Sequence, residues 1–166
     1  VVEAGVDLIG IHARTRKELY MGTPHYEMIK NLRKKMSVPL AVSGNIYTLD
    51  DAIIALDITG ADLVMVARGG MGNPFLITQI KQYYENGERL LSPSLDEQIK
   101  YCLSLADYLI QEKGEKRAMM VYRAIAPKFF MGFPNAKILR SRLAQELTSK
   151  NNLIRIIEEY RKEQNI

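Results

Sequence analysis

The chain has 166 residues, 47 % of them hydrophobic and 25 % charged, with a net charge of +4. That suits one compact domain or two small ones of ordinary globular composition. No apolar run approaches the roughly 20 residues that span a bilayer, no secretory signal pattern opens the chain, and the single cysteine, Cys102, excludes an intrachain disulfide and fits a reducing cytoplasm.

Val1-Val2-Glu3-Ala4-Gly5 reads as the end of a helix closed by a glycine, with no initiator methionine. The expectation is a fragment of a longer protein. Asp7–His12 is the first strand candidate. Pro24 then suits a helix N-terminus, and Ile29, Leu32 and Met36 keep helical spacing. Val38–Val42 is a second strand. Thr48 and Asp51 form a capping-box pattern that opens a helix to about Asp57. Ala61–Ala67 is a third strand, and a helix follows from Asn73 or Pro74 to about Tyr84. Three βα units at this spacing predict a parallel sheet. The strands lack polar alternation, which predicts burial on both faces.

The second half changes character. Glu85–Ser94 is rich in turn formers. Ser94 and Glu97 form a second capping-box pattern, opening a helix that ends near Gly114. A helix over about Glu115–Met131 follows, kinked at Pro127. After the break at Gly132–Asn135 come helices over about Ala136–Leu147 and Asn151–Glu163. Four helices with short connections predict a bundle. The organisation expected is a βα part over 1–85, a linker over 86–94 and a helical part over 95–166. Cys102, among Leu103, Leu105 and Ala106, reads as a buried small hydrophobe, and Met119-Met120 and Phe129-Phe130-Met131 as bundle core.

The charge is uneven. Residues 1–90 carry ten basic and ten acidic side chains, whereas 116–145 hold Lys116, Arg117, Arg123, Lys128, Lys137, Arg140 and Arg142 with no acid. Such a stretch is either a solvated surface or the footprint of a polyanion.

In a parallel β/α fold, ligands bind where strands end and helices begin. The three strand ends read His12-Ala13-Arg14-Thr15-Arg16, Ser43-Gly44-Asn45-Ile46 and Ala67-Arg68-Gly69-Gly70. Glycines admit an anion close to backbone N–H groups, and Arg68 adds a full charge, so the pattern predicts a phosphate site. His12 and Arg14 face the same way if the first strand continues. The bland alternative is a hydrogen-bonded strand-end histidine with a surface arginine. His25 reads as structural or solvent-facing.

Four motifs, in this order, resemble the C-terminal part of a tRNA-dihydrouridine synthase. They are Gly10-Ile11-His12-Ala13-Arg14-Thr15-Arg16 with Tyr20-Met21-Gly22; Val38–Ile46; Asp62–Pro74; and Phe130–Ala136 with Leu139-Arg140. The resemblance implies an α/β part followed by an all-α part: the last three βα units of an FMN-binding (β/α)8 TIM barrel, then a C-terminal four-helix bundle that binds tRNA. It implies reduction of the 5,6-double bond of uridines in tRNA, with FMN as cofactor and NADPH as electron donor. It assigns His12, Ser43, Gly44, Asn45, Ala67, Arg68 and Gly69 to FMN, and His12 and Arg14 to catalysis; the charge count over 116–145 adds Arg117, Arg123, Lys128, Lys137, Arg140 and Arg142 as the expected tRNA contacts. Neither a metal nor a membrane is expected. Ser43 stands where that family usually has asparagine, Asn45 where it often has aspartate, and Ala67 where glycine is common. The family's catalytic cysteine and a flavin-contacting lysine belong to an earlier part of the barrel, and Cys102 does not match that motif. An inert fragment that self-associates through its open barrel edge is expected. The alternatives are another FMN- or phosphate-binding barrel oxidoreductase acting on a small metabolite, and a non-catalytic RNA-binding module.

Overall fold

A three-stranded parallel sheet organises the first half of the protein in a computed structural model, which describes residues 2–164. β1 (Ile9–His12), β2 (Leu40–Ser43) and β3 (Leu63–Met65) lie in that order. The register sets His12 beside Ser43 and Ser43 beside Met65, so the three strand ends come level. β3 is shorter than the expected Ala61–Ala67. Asp62 serves as a side-chain acceptor, taking the Leu40 N–H at 2.8 Å and Arg33 Nε at 2.5 Å. Those bonds, from Leu40 first and then Arg33, hold its carboxyl below the usual range.

Burial on both faces holds only for β2, whose Leu40, Ala41 and Val42 are enclosed. β1 and β3 are edge strands that alternate, and Leu63 and Met65 are about half exposed. The core of this part gathers Leu40, Val42, Ile46, Ala52 and Ala55.

The segment after Pro24 is not the α-helix expected from its apolar spacing. Two 3-10 turns, Tyr26–Ile29 and Arg33–Lys35, replace it. Tyr26 is held by its hydroxyl on the Gly44 carbonyl, and Arg33 is committed to Asp62 and the Met36 carbonyl. Ile29 and Met36 still cover the sheet, so the spacing reports burial correctly and helix type wrongly.

α1 (Leu49–Thr59) opens with the expected capping box. Thr48 Oγ1 accepts the Asp51 N–H at 3.1 Å, and Asp51 accepts the Thr48 N–H at 2.9 Å. Loss of such a cap costs about 1 kcal/mol. Gly60 closes the helix at φ 64°, a left-handed conformation that favours glycine. α2 (Phe75–Asn86) follows Pro74. The chain then stays tied to this part as far as Leu90. Gln79 donates to the Leu90 carbonyl at 3.0 Å, and Arg89 pairs with Asp50 at 2.7 Å.

The chain divides into two compact units: one up to Gly70 with Leu76–Leu90, the other Met71–Phe75 with the chain from Leu91. The second unit contains α3 (Leu95–Lys113), α4 (Glu115–Tyr122), α5 (Lys137–Gln145) and α6 (Lys150–Glu163). Ser94 and Glu97 form the second capping box, and Ser149 caps α6. The helix expected over Glu115–Met131 is not continuous. α4 stops at Tyr122, and a 3-10 segment, Ala126–Phe130, carries Pro127 in its first turn, where a missing N–H does no harm. Tyr122, Phe129, Phe130, Leu143, Leu147, Leu153 and Ile156 form the core. Met120 and Met131, expected there, are exposed, because neighbours of the buried Met119 and Phe130 point elsewhere.

Candidate functional site

Level strand ends bring three loops of the first unit together. The register puts His12 and Ser43 side by side, and His12 Nδ1 is hydrogen-bonded to Ser43 Oγ at 3.0 Å. Beyond Ser43 the chain turns through Gly44 at φ 131° and Asn45 at φ 49°. A Cβ on Gly44 would come within 2.8 Å of the Pro24 ring, and Tyr26 donates its hydroxyl to the Gly44 carbonyl. Gly69 is needed for a different reason. A Cβ there would lie 1.9 Å from the Ile46 carbonyl oxygen, so only glycine lets the second and third loops abut.

These loops enclose a cavity of about 260 Å³. Its lining includes His12, Ser43, Gly44, Asn45, Ala67, Arg68 and Gly69, together with Tyr20 and Tyr47. All seven positions singled out for a cofactor therefore meet at one place. The Arg68 guanidinium sits 4.5 Å from the Tyr20 ring centroid and 5.5 Å from that of Tyr47. Its Nη2 donates to Asn45 Oδ1 at 3.4 Å. Among the described residues Arg68 forms no ion pair, and no carboxylate lines the cavity. The site is thus positive, with two aromatic faces steering its free cation.

Arg14 is placed differently from the expectation. β1 ends at His12, and the Arg14 N–H turns back onto the His12 carbonyl at 2.8 Å. Arg14 is not among the residues lining the cavity. Its Nε donates to the Met21 carbonyl at 3.1 Å, and its Nη2 donates to the Gly22 carbonyl at 2.6 Å and to Asn45 Oδ1 at 3.0 Å. Its Nη1 is buried with no partner. Arg14 therefore braces the loop that presents Tyr20. The same loop is tied by Glu18, which pairs with His25 Nε2 at 2.5 Å and accepts both the N–H and the hydroxyl of Thr15 at 2.7 Å. His25 is exposed to solvent and at the same time holds Glu18, so both readings open for it apply.

Tyr20, Tyr47 and Tyr26 were not singled out for roles by the sequence. Tyr20 opens the Tyr20-Met21-Gly22 motif, and Tyr47 directly follows the second glycine loop. Aromatics flanking a loop arginine are the signal that could have found them.

A larger cavity of about 640 Å³ lies between α1, β3 and α2. Its lining is mainly apolar, with Asp57, Asp62 and Glu85 against one lysine, Lys81. That charge is wrong for an anion, and none of its lining residues lines the smaller cavity. Cys102 is enclosed in the helical unit, where the Tyr122 hydroxyl lies 3.2 Å from its sulfur. Burial pushes its thiol up to about 12. Such a thiol is not a ready nucleophile.

The basic stretch of the second unit splits in two. Arg123 donates to the Leu147 carbonyl at 2.8 Å, Lys128 approaches Met71 Sδ at 3.6 Å, and Arg142 pairs with Glu146 at 3.1 Å and Glu159 at 2.5 Å. Lys116, Arg117 and Lys137 are exposed and Arg140 is partly so, and among the described residues none of the four is in an ion pair. Among the described residues no helix is long and apolar enough to cross a membrane, and no group of three His, Cys, Asp or Glu could hold a metal.

Residues 1–165 match the family model described as dihydrouridine synthase (Dus). The chain is 30 % identical over 143 residues to the probable tRNA-dihydrouridine synthase 1 of Synechocystis sp., a match covering 86 % of this chain and 40 % of that protein. It is 32 % identical over 137 residues to the probable tRNA-dihydrouridine synthase of Rickettsia bellii, covering 82 % and 42 %. It is 28 % identical over 152 residues to tRNA-dihydrouridine synthase B of Pasteurella multocida, covering 92 % and 46 %. The chain thus spans less than half the length of these relatives.

Proposed function

The chain belongs to the dihydrouridine synthase family, and on that premise we propose that the protein carrying it reduces the 5,6-double bond of uridines in tRNA. The observation that supports this reading is the cavity at the level strand ends, positive and built of two glycine loops around Arg68. Its chemistry fits the phosphate end of FMN. An unpaired guanidinium offers a charge-assisted hydrogen bond, and the glycines admit an anion to the backbone. At about 260 Å³ the cavity is smaller than a pocket for a whole drug-sized ligand, so it takes one end of the cofactor. FMN, when bound, supplies the reducing equivalents, replenished from NADPH.

On this reading Arg68, steadied by Tyr20 and Tyr47, holds the phosphate. Ser43 fixes the His12 ring through Nδ1, which leaves Nε2 for the cofactor or the base. Gly44 and Gly69 set the loop path, and Arg14 acts on the site through Asn45 and the Tyr20 loop. By the resemblance, the general acid for the base is a cysteine of an earlier part of the barrel, and Cys102, enclosed in the helical core, is not that residue. On this reading the three strands, with α1 and α2, belong to the end of a flavin barrel and the four helices to a tRNA-binding bundle. Lys116, Arg117, Lys137 and Arg140, free of carboxylates, are the phosphate contacts, while Arg123 and Arg142 hold the helical unit together.

The 166-residue chain by itself is inert and self-associates through its edge strands, where Leu63 and Met65 are exposed. Sedimentation at several concentrations should show dimers or larger species, and a monomer throughout would contradict this. The functional reading is tested by incubating unmodified tRNA with the full-length protein, FMN and NADPH and measuring dihydrouridine.

A further inference from the structure

Two close backbone approaches bracket the end of the third loop. At Gly69 a Cβ would lie 1.9 Å from the Ile46 carbonyl oxygen, and both residues belong to the first unit. At Gly72 a Cβ would lie 2.4 Å from the Lys128 carbonyl carbon and 2.6 Å from its oxygen, and both belong to the second. Gly72 is buried, and its φ of 84° favours glycine as well. Met71–Phe75 thus belong with the helices, although the chain on either side belongs with the sheet. What holds the segment there is shape. Lys128 Nζ reaches Met71 only at Sδ, 3.6 Å away, and Asn73 Oδ1 is buried without a partner. The opposing surface is firm, because Lys128 sits in the 3-10 segment whose Ala126, Phe129 and Phe130 are enclosed in the helical core. A side chain at position 72 therefore displaces Met71–Phe75 and not Lys128.

We infer that Gly72 is a positioning residue for Arg68: by seating Met71–Phe75 against Lys128 it fixes, from the helical unit, the far end of the loop that carries the guanidinium. Only Gly70 and Met71 stand between Gly69 and Gly72. That tether of three residues reaches at most about 11 Å. It has little slack. Arg68–Gly70 form a 3-10 turn, and the Gly70 N–H is tied to the Ala67 carbonyl at 3.0 Å. A displacement at Gly72 is therefore passed along the chain to Gly69 and Arg68. There the guanidinium loses its place beside Asn45 Oδ1 and the Tyr20 ring.

This inference rests on the reading of Arg68 as a flavin contact, and the experiment separates the two. FMN affinity of the full-length apoprotein is measured by flavin fluorescence for the parent, Gly72→Ala, Gly132→Ala, Arg68→Ala and the double variant Gly72→Ala with Arg68→Ala. Gly132 also lies in the helical unit, at φ 86°, with nothing within 4 Å of a Cβ. Gly132→Ala therefore carries the conformational penalty without the overlap. The expected result is a loss of about tenfold in Gly72→Ala, the scale of one charge-assisted hydrogen bond, and a change within about twofold in Gly132→Ala. Once Arg68 is alanine, Gly72→Ala should cost no more than about twofold further, because it acts through that side chain. A purely structural role would cost the same in both backgrounds, and that result overturns the inference. So does an affinity within about twofold of the parent in Gly72→Ala alongside a clear loss in Arg68→Ala, which leaves the reading of Arg68 standing. No loss in Arg68→Ala overturns both. Should Gly72→Ala fail to fold, one glycine inserted between Gly70 and Met71 decides. It spares both close approaches and gives the tether slack, at little cost in stability. FMN affinity should fall in the insertion variant only while Arg68 is present, and parent-like affinity there overturns the inference.

Discussion

The Arg68 guanidinium lies 4.5 Å from the ring centroid of Tyr20, a residue carried by the loop that Arg14 braces through the Met21 and Gly22 carbonyls. A loop with no regular structure thereby positions the cation of the glycine-lined cavity. Arg68→Ala should weaken FMN binding by about 1.5–3 kcal/mol, the worth of one charge-assisted hydrogen bond. Tyr20→Leu should cost about 0.5–1 kcal/mol by freeing Arg68, and Tyr20→Phe less. Arg16→Ala, outside the cavity lining, serves as the control. Equal flavin occupancy in purified Arg68→Ala and Arg16→Ala would contradict the assignment.

The loop carrying Tyr20 should also record acid. Glu18 is lowered from the ordinary 4.5 to about 2, first by its hydrogen bond with His25 and then by the N–H and hydroxyl of Thr15. A carboxyl lowered in the folded state contributes stability above its unfolded pKa and loses it as pH falls through the folded one. The loss therefore falls between pH 4.5 and about 2. Glu18→Gln should flatten that part of the curve of urea midpoint against pH. A parent that loses no more than the variant over this window would show that the bonds are not kept in solution.

In the helical unit the basic residues should separate by role. Each phosphate contact contributes roughly −0.7 to −0.9 to the log–log salt slope of RNA binding. Replacing Arg117 and Lys137 together should flatten the slope for tRNA by about one to two units, alike for many tRNAs, because phosphate contacts position and do not specify. Arg142→Ala should leave the slope unchanged and lower the melting temperature, since Arg142 ties α5 to Glu159 of α6. A slope change in Arg142→Ala as large as in the double variant would return that residue to the RNA surface.

Local chemistry was legible wherever it is decided within four residues. Thr48 with Asp51 and Ser94 with Glu97 announce their helices because a cap and its partner are one turn apart. The strand ends were legible for the same reason, a short apolar run broken by glycine. The turns after Pro24 were not. Ile29, Leu32 and Met36 report a buried face, and what denies them an α-helix is the attachment of Tyr26 to Gly44 and of Arg33 to Asp62, both distant in sequence. Arg14 was misplaced by assuming that β1 continues, when the chain turns at His12. In the basic stretch, Arg142 pairs with Glu146 and Glu159, both outside the acid-free window, so a count within 116–145 does not register them.

We propose that this positive, glycine-lined cavity serves flavin-dependent reduction of uridine in tRNA. Its most direct test is nucleoside mass spectrometry of unmodified tRNA incubated with the full-length protein, FMN and NADPH. Dihydrouridine that requires both cofactors and falls sharply in Arg68→Ala is the expected result. FMN bound and reduced by NADPH in the presence of tRNA whose uridines all stay unmodified would contradict it.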